Sequence, residues 1–197
     1  MGQILVESED TTEMIEKLLT LARTDSQPSS EMFSETDLWM IGAEVVEYIK
    51  PLADSKRQAL EILPADTPAP VLARSSDLKK LILILLDNAI KYTPTDGRIE
   101  VRVAHFADQS FLEVKDTGIG IAEEDIPHVF ERFYRADKGR SRETGGLGLG
   151  LSIAQAIAED HAAHIVVRSQ TNGGSSFRIL FPVRCTLEKI PERSCAN

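Results

Sequence analysis

Asn88 and Lys91 lie three residues apart in LLDNAIKYTP, so on a helix both side chains project from one face. A carboxamide oxygen there can ligate a hard cation such as magnesium, and an ammonium beside it can hold a phosphate. The plainer meaning of the same pattern is an Asn and a Lys on the exposed side of a helix whose other side is LILILL. Asp116-Thr117-Gly118-Ile119-Gly120 closes an alternating apolar run. A carboxylate at a strand end can accept a hydrogen bond from an exocyclic amine, and the glycines let backbone pass close to a flat ring, although an ordinary Asp-Gly turn looks the same. Arg132 to Arg142 holds five basic residues and one acid, a +4 island. It leads into Gly145-Gly146-Leu147-Gly148-Leu149-Gly150, whose glycines open a helical stretch and leave backbone N–H groups free to meet phosphate. No Gly-Lys-Ser/Thr follows, so this is not a P-loop, and it does not follow a first strand as a dinucleotide fingerprint would.

These residues need elements to hold them. Apolar residues at helical spacing predict an amphipathic helix over about 8–25 (Met14, Ile15, Leu18, Leu19, Ala22), which TDSQPSS, Thr24 to Ser30, then stops. MFSETDL predicts a short strand and Leu38 to about Lys56 a helix, with Pro51 kinking or shortening it. ALEILP and APVLA read as short strands. Ser75, Ser76 and Asp77 offer N-caps for a helix running to about Tyr92. Arg98 to Phe106 and Ser110 to Asp116 alternate as one hairpin, and HIVVRSQ with SSFRILFP forms another around Asn172-Gly173-Gly174. A helix from about Gly148 to His161 stands between them. Strands in pairs with three helices predict a two-layer α/β sandwich, its sheet mixed and mostly antiparallel, with helices on one face rather than a doubly wound sheet.

With 197 residues and a formal net charge of −9, the chain allows one to two domains and argues against a general nucleic-acid binder. The strongly apolar run Leu81 to Leu86 is six residues, far short of the ~20 that cross a bilayer. MGQILV has no signal-peptide pattern, and Val6 stands where a myristoylation motif wants Ser or Thr. Running straight into a helical pattern, it reads as the cut end of a longer protein. Cys185 and Cys195, without CxxC or a neighbouring His, fit a reducing compartment and exclude an ordinary zinc site.

In order, LLDNAIKYTP, DTGIG, FERFYRAD and GGLGLGLSI closely resemble the N box, first glycine box, F box and second glycine box of sensor histidine kinases. The resemblance runs from about Ser75 to Pro182 and weakly back to Met32. It implies the Bergerat ATP-binding sandwich shared with gyrase, HSP90 and MutL. It casts Asn88 as magnesium ligand, Lys91 as phosphate contact, Tyr92 as a pocket wall, and Asp116 as the adenine-reading carboxylate supported by Gly118 and Gly120. Arg135 becomes a lid arginine approaching the terminal phosphate, and Lys91 and Arg135 the catalytic pair. Gly146, Gly148 and Gly150 become lid glycines, with Ile121, Phe133, Leu147 and Leu149 as further nucleotide-binding positions and Ser176 as a hydroxyl near the adenine.

By the same resemblance, residues 1–27 hold the second helix of a dimerisation and phosphotransfer domain, 28–32 a linker, 33–183 the catalytic domain and 184–197 a tail. Mg-ATP would donate its γ-phosphoryl to a dimerisation-domain histidine, which passes it to a response-regulator aspartate. The intact protein would be a homodimer and this part cytoplasmic, below a probable inner-membrane sensor; the chain alone is expected to be monomeric or to self-associate through the 14–22 stripe.

Two departures qualify this. Ile84 stands where sensor kinases usually carry Asn and hydrolytic relatives a catalytic Glu, which disfavours outright ATP hydrolysis. The acceptor histidine is missing: His128 belongs with the F box, while His105, His161 and His164 fall near strand ends and read as surface residues. A non-catalytic nucleotide-binding scaffold, favoured by Ile84, and a serine kinase of the anti-sigma-factor type, disfavoured by FERFYRAD, are the rival readings.

Overall fold

A computed structural model of the protein describes residues 31–65, 67–106, 109–136 and 147–182. The helix expected over 8–25, the tail with both cysteines, Gly146 and the end of the basic island lie outside the described residues.

β1 (Ser34–Asp37) runs directly into α1 (Leu38–Ser55), where the Asp37 carboxylate caps the helix by accepting from Trp39 N at 2.9 Å. Leu38, Ile41, Val45, Val46 and Ile49 recur at helical spacing and are buried. The helix neither stops nor shortens at Pro51. That residue is exposed, so water can satisfy the carbonyl its missing N–H leaves unbonded.

β2 (Ala59–Ile62) and β3 (Pro70–Ala73) precede α2 (Ser75–Tyr92), whose buried face comprises Leu78, Leu81, Ile82, Leu85, Leu86, Ala89 and Ile90. None of the three expected residues caps this helix. The N-cap position is Arg74, without a side-chain cap bond, and the N–H groups of Ser75 and Ser76 donate to the two carboxylate oxygens of Glu31 at 3.1 and 3.0 Å. An acid at a helix N-terminus is favoured by the dipole, and hydrogen bonds from Ser76 hold the Glu31 carboxyl below its ordinary value.

β4 (Arg98–Phe106) and β5 (Gln109–Asp116) form the first hairpin, β6 (His164–Gln170) and β7 (Gly174–Phe181) the second. α3 (Gly150–Asp160) lies between them. The five-stranded sheet has the order β2-β4-β5-β7-β6, antiparallel except where β2 runs parallel to β4, while β1 pairs with β3 apart from it. ALEILP and APVLA therefore belong to different sheets. α1 packs on α2 and α2 on α3, with α1 also against β2, β4 and β5 and α3 against β6. One face of the sheet supplies Ile99, Val101, Val103, Leu112, Val114, Phe177, Ile179 and Phe181 to the core beneath the helices. This is the expected mostly antiparallel α/β sandwich.

One histidine departs from expectation. His164 is exposed and His105 half-buried, but His161 is only 5% exposed. Arg74 N donates to its Nε2 at 3.2 Å and its Nδ1 lies 2.8 Å from the Ile157 carbonyl, which fixes the neutral tautomer protonated at Nδ1. The Phe33 ring packs on it at 5.0 Å between centroids, and burial pushes its pKa down. His128 lies in a single 3-10 turn, Ile126–His128, with Nδ1 2.7 Å from Glu131 Oε1.

Candidate functional site

Where α2 passes the ends of β5 and β7, the structure has a cavity of about 360 Å³. α2 forms one wall with Ile84, Asp87, Asn88, Lys91 and Tyr92, residues recurring at helical spacing along the flank of its buried face. Asn88 is half-buried, and Lys91 Nζ lies 2.7 Å from Asp87 Oδ2, one turn back on the same helix.

Asp116 ends β5 on its core-facing side and is 6% exposed. Its Oδ1 accepts from Gly118 N at 2.7 Å and Ser175 N at 3.2 Å. Oδ2 has no protein donor among the described residues, so a carboxylate oxygen on the cavity wall stays available to a donor from within. Burial raises the Asp116 pKa, and the bonds from Gly118 and Ser175 oppose that shift. Ile119 N donates to Tyr92 O at 3.2 Å, which fastens the loop after Asp116 to the C-terminal end of α2.

The opposite wall is the start of α3. Leu147, Gly148, Leu149 and Gly150 line the cavity. Gly148 has φ +68°, and a Cβ there would lie 2.6 Å from the Tyr134 carbonyl oxygen, so only glycine lets this turn close on the Phe133-Tyr134 segment. Phe133 N donates to Gly148 O at 3.0 Å, and Tyr134 Oη donates to Asp125 at 2.5 Å, a bond that pushes the phenol pKa up to about 12. Gly150 sits beside Ile84, 3.4 Å from its Cγ2 to a would-be Cβ. Ile84 and Tyr92 are eight positions apart, about 12 Å along a helix, with Gly150 beside the first and the loop after Asp116 bonded to the second.

Of the residues expected to act together, Asn88, Lys91, Tyr92, Asp116, Gly120, Ile121, Arg135, Leu147, Gly148, Leu149 and Gly150 all line this cavity. Gly118 is buried behind it as a donor to Asp116. Phe133 is 61% exposed and is not part of the walls. Ser176 is a correction. Its hydroxyl donates to Glu113 Oε1 at 2.6 Å on the other face of the sheet, and Ser175 lines the cavity in its place. Alternation carries the signal: Ser175 shares the face of Phe177, Ile179 and Phe181, all buried. Asp87, Thr93 and Tyr134 also line the site and were not expected there. The Thr93 hydroxyl is buried without a partner, as is Gln58 Oε1.

A family model described as histidine kinase-, DNA gyrase B-, and HSP90-like ATPase matches residues 73–184. The sensor histidine kinase YkoH of Bacillus subtilis is 50% identical over 111 residues, covering 56% of this chain and 24% of that protein. The sensor histidine kinase RppB of Synechocystis is 34% identical over 172 residues, covering 87% of this chain and 38% of that protein. The chain thus spans well under half the length of these relatives. Among solved structures, the mycobacterial sensor histidine kinase MprB aligns with a TM-score of 0.66 at 27% identity, over 78% of this chain and 99% of that one.

Proposed function

The chain belongs to the histidine kinase-, DNA gyrase B-, and HSP90-like ATPase family, and from that premise we propose that it is the catalytic part of a two-component sensor histidine kinase. The observation that carries the nucleotide reading is the pairing, in one cavity, of a buried carboxylate with an uncommitted Oδ2 and a helix opening on glycines about 12 Å along α2 from it.

In this reading Asp116 accepts from the exocyclic amine of adenine, and Tyr92, Ile121 and the apolar walls enclose the base. Lys91, Arg135 and the N–H groups at the start of α3 hold the phosphates. Asn88 offers a hard oxygen on the cavity wall, the donor type that suits magnesium. When bound there, magnesium supplies charge neutralisation at the phosphates. The residues position the γ-phosphoryl for in-line attack by a histidine nitrogen. The bond from the γ-phosphorus to its bridging oxygen breaks as a P–N bond forms, ADP departs, and the imidazole proton goes to solvent. The acceptor would lie in a dimerisation domain of the intact homodimer, with residues 1–27 its second helix and 33–183 the catalytic domain, and the phosphoryl would pass on to a receiver-domain aspartate. A cytoplasmic position beneath an inner-membrane sensor fits this reading. No helix among the described residues is long and apolar enough to cross a membrane.

The test mixes the chain with γ-labelled ATP and a separately made acceptor-histidine hairpin from the parent protein. Acid-labile, base-stable label on the hairpin is the expected result. ATP binding without any label would overturn the kinase reading and favour a scaffold, which Ile84 in the cavity wall would then explain.

A further inference from the structure

We infer that Asp87 makes polyphosphate binding at this site conditional on a divalent cation; the inference rests on the nucleotide reading above. Asp87 and Lys91 both line the cavity, and their side chains, 36% and 23% exposed, meet at 2.7 Å across one helical turn. The ammonium that would hold a phosphate is already neutralised by a carboxylate. Both side chains are part-buried in a cavity whose walls include the apolar Ile84, Leu85, Leu147 and Leu149 as well as Asn88 and Arg135, so the pair is screened less than on an open surface.

A polyphosphate entering without a cation must either displace Asp87 from Lys91 or accept a carboxylate at close range. Either course costs affinity. A divalent cation removes the conflict, because Asp87 and Asn88 are adjacent on the helix and both carry hard oxygens. The carboxylate can then turn from competitor to cation partner, releasing Lys91 to the phosphate. Asp87 is thus a positioning residue for Lys91 and a selectivity element for the metal-bound nucleotide. Asn at this position would keep the shape and remove the charge.

The experiment measures the dissociation constant for ATP by calorimetry, in excess EDTA and in excess magnesium, for the wild type, Asp87→Asn and Asp87→Glu. The wild type should bind at least roughly tenfold more weakly in EDTA than in magnesium, a change typical of one close charge conflict. Asp87→Asn should shrink that ratio to within about threefold, chiefly by tightening binding in EDTA, and Asp87→Glu should restore it. An unchanged ratio in Asp87→Asn, or equal weakening under both conditions, would overturn the inference. If the wild type binds ATP under neither condition, the nucleotide reading itself fails. Coinciding urea-unfolding midpoints for the three proteins would place the effect at the site rather than in the fold.

Discussion

At the level of single residues, Asp116 carries the most specific claim, because it performs two tasks with two oxygens. Oδ1 binds backbone N–H groups from two strands' ends, and Oδ2 is left for a ligand. Asn at this position retains an acceptor for Gly118 and Ser175 but can present an NH₂ group to the ligand's amine. Asp116→Asn should therefore weaken ATP binding by about tenfold or more in a calorimetric titration, the usual effect of losing a charge-assisted hydrogen bond. Stability should move the other way. Burial raises the Asp116 pKa above 3.8, so the folded state holds its proton to higher pH than the unfolded state. Stability then falls as pH rises through the window from 3.8 to the raised value, and the charged form carries that cost at neutral pH. The neutral variant should unfold at an equal or higher urea concentration at pH 7. Ser176→Ala, on the far face of the sheet, should leave ATP affinity unchanged in the same titration; a loss there would restore Ser176 to the site.

Elements explain why glycines in similar runs are unequal. Gly174 begins β7 at φ +83°, and a Cβ there would come 2.0 Å from the Asp116 carbonyl oxygen. Gly150 begins α3 with nothing nearer than Ile84 Cγ2 at 3.4 Å. Gly174→Ala should cost about 1–3 kcal/mol from backbone strain alone, more with the clash, and should weaken nucleotide binding by moving β5 at Asp116. Gly150→Ala should change stability by less than about 0.5 kcal/mol. Urea unfolding of both variants decides this, and equal losses would mean the glycines act only through flexibility. The same contrast bounds what could be read from sequence. The two hairpins and the buried face of α2 follow from periods of 2 and 3.6, which are local properties of the chain. The capping of α2 by Glu31 does not, since the partners are 44 positions apart in sequence. Nor does the parallel pairing of β2 with β4, because ALEI carries no mark of the strand it will join. The four ordered boxes mark most of the cavity, and Asp87 is a wall residue to which they assign no role. Its i,i+4 spacing to Lys91 is local to the helix, but that both side chains line the cavity is not.

On the scale of the whole molecule, His161 and Arg74 join three parts of the chain that are remote in sequence. Arg74 lies where β3 meets α2, His161 closes α3, and Phe33 precedes β1, with the Arg74 guanidinium 4.6 Å from the Phe33 ring centre. Arg74 also pairs with Asp77 and Asp160, the latter at 3.2 Å. This junction favours the neutral imidazole. A proton on Nε2 would oppose the Arg74 N–H that now donates to it and add a positive charge beside the guanidinium, an effect that Asp77 and Asp160 act against. Burial is the largest cause, and the folded pKa lies below the ordinary 6.5. Between that lowered value and 6.5 the unfolded chain binds a proton that the folded chain does not. The contribution is therefore complete above 6.5 and is lost as pH falls toward the folded pKa, with a slope opposite to that set by Asp116. Urea midpoints measured from pH 7.5 down to 5.5 should fall for the wild type. In His161→Gln the starting midpoint should be lower, since the Arg74 and Ile157 contacts are altered, but its decline over the same range should be shallower. Parallel declines would show that the acid sensitivity arises elsewhere, and that this junction binds the layers together through packing and Arg74 alone.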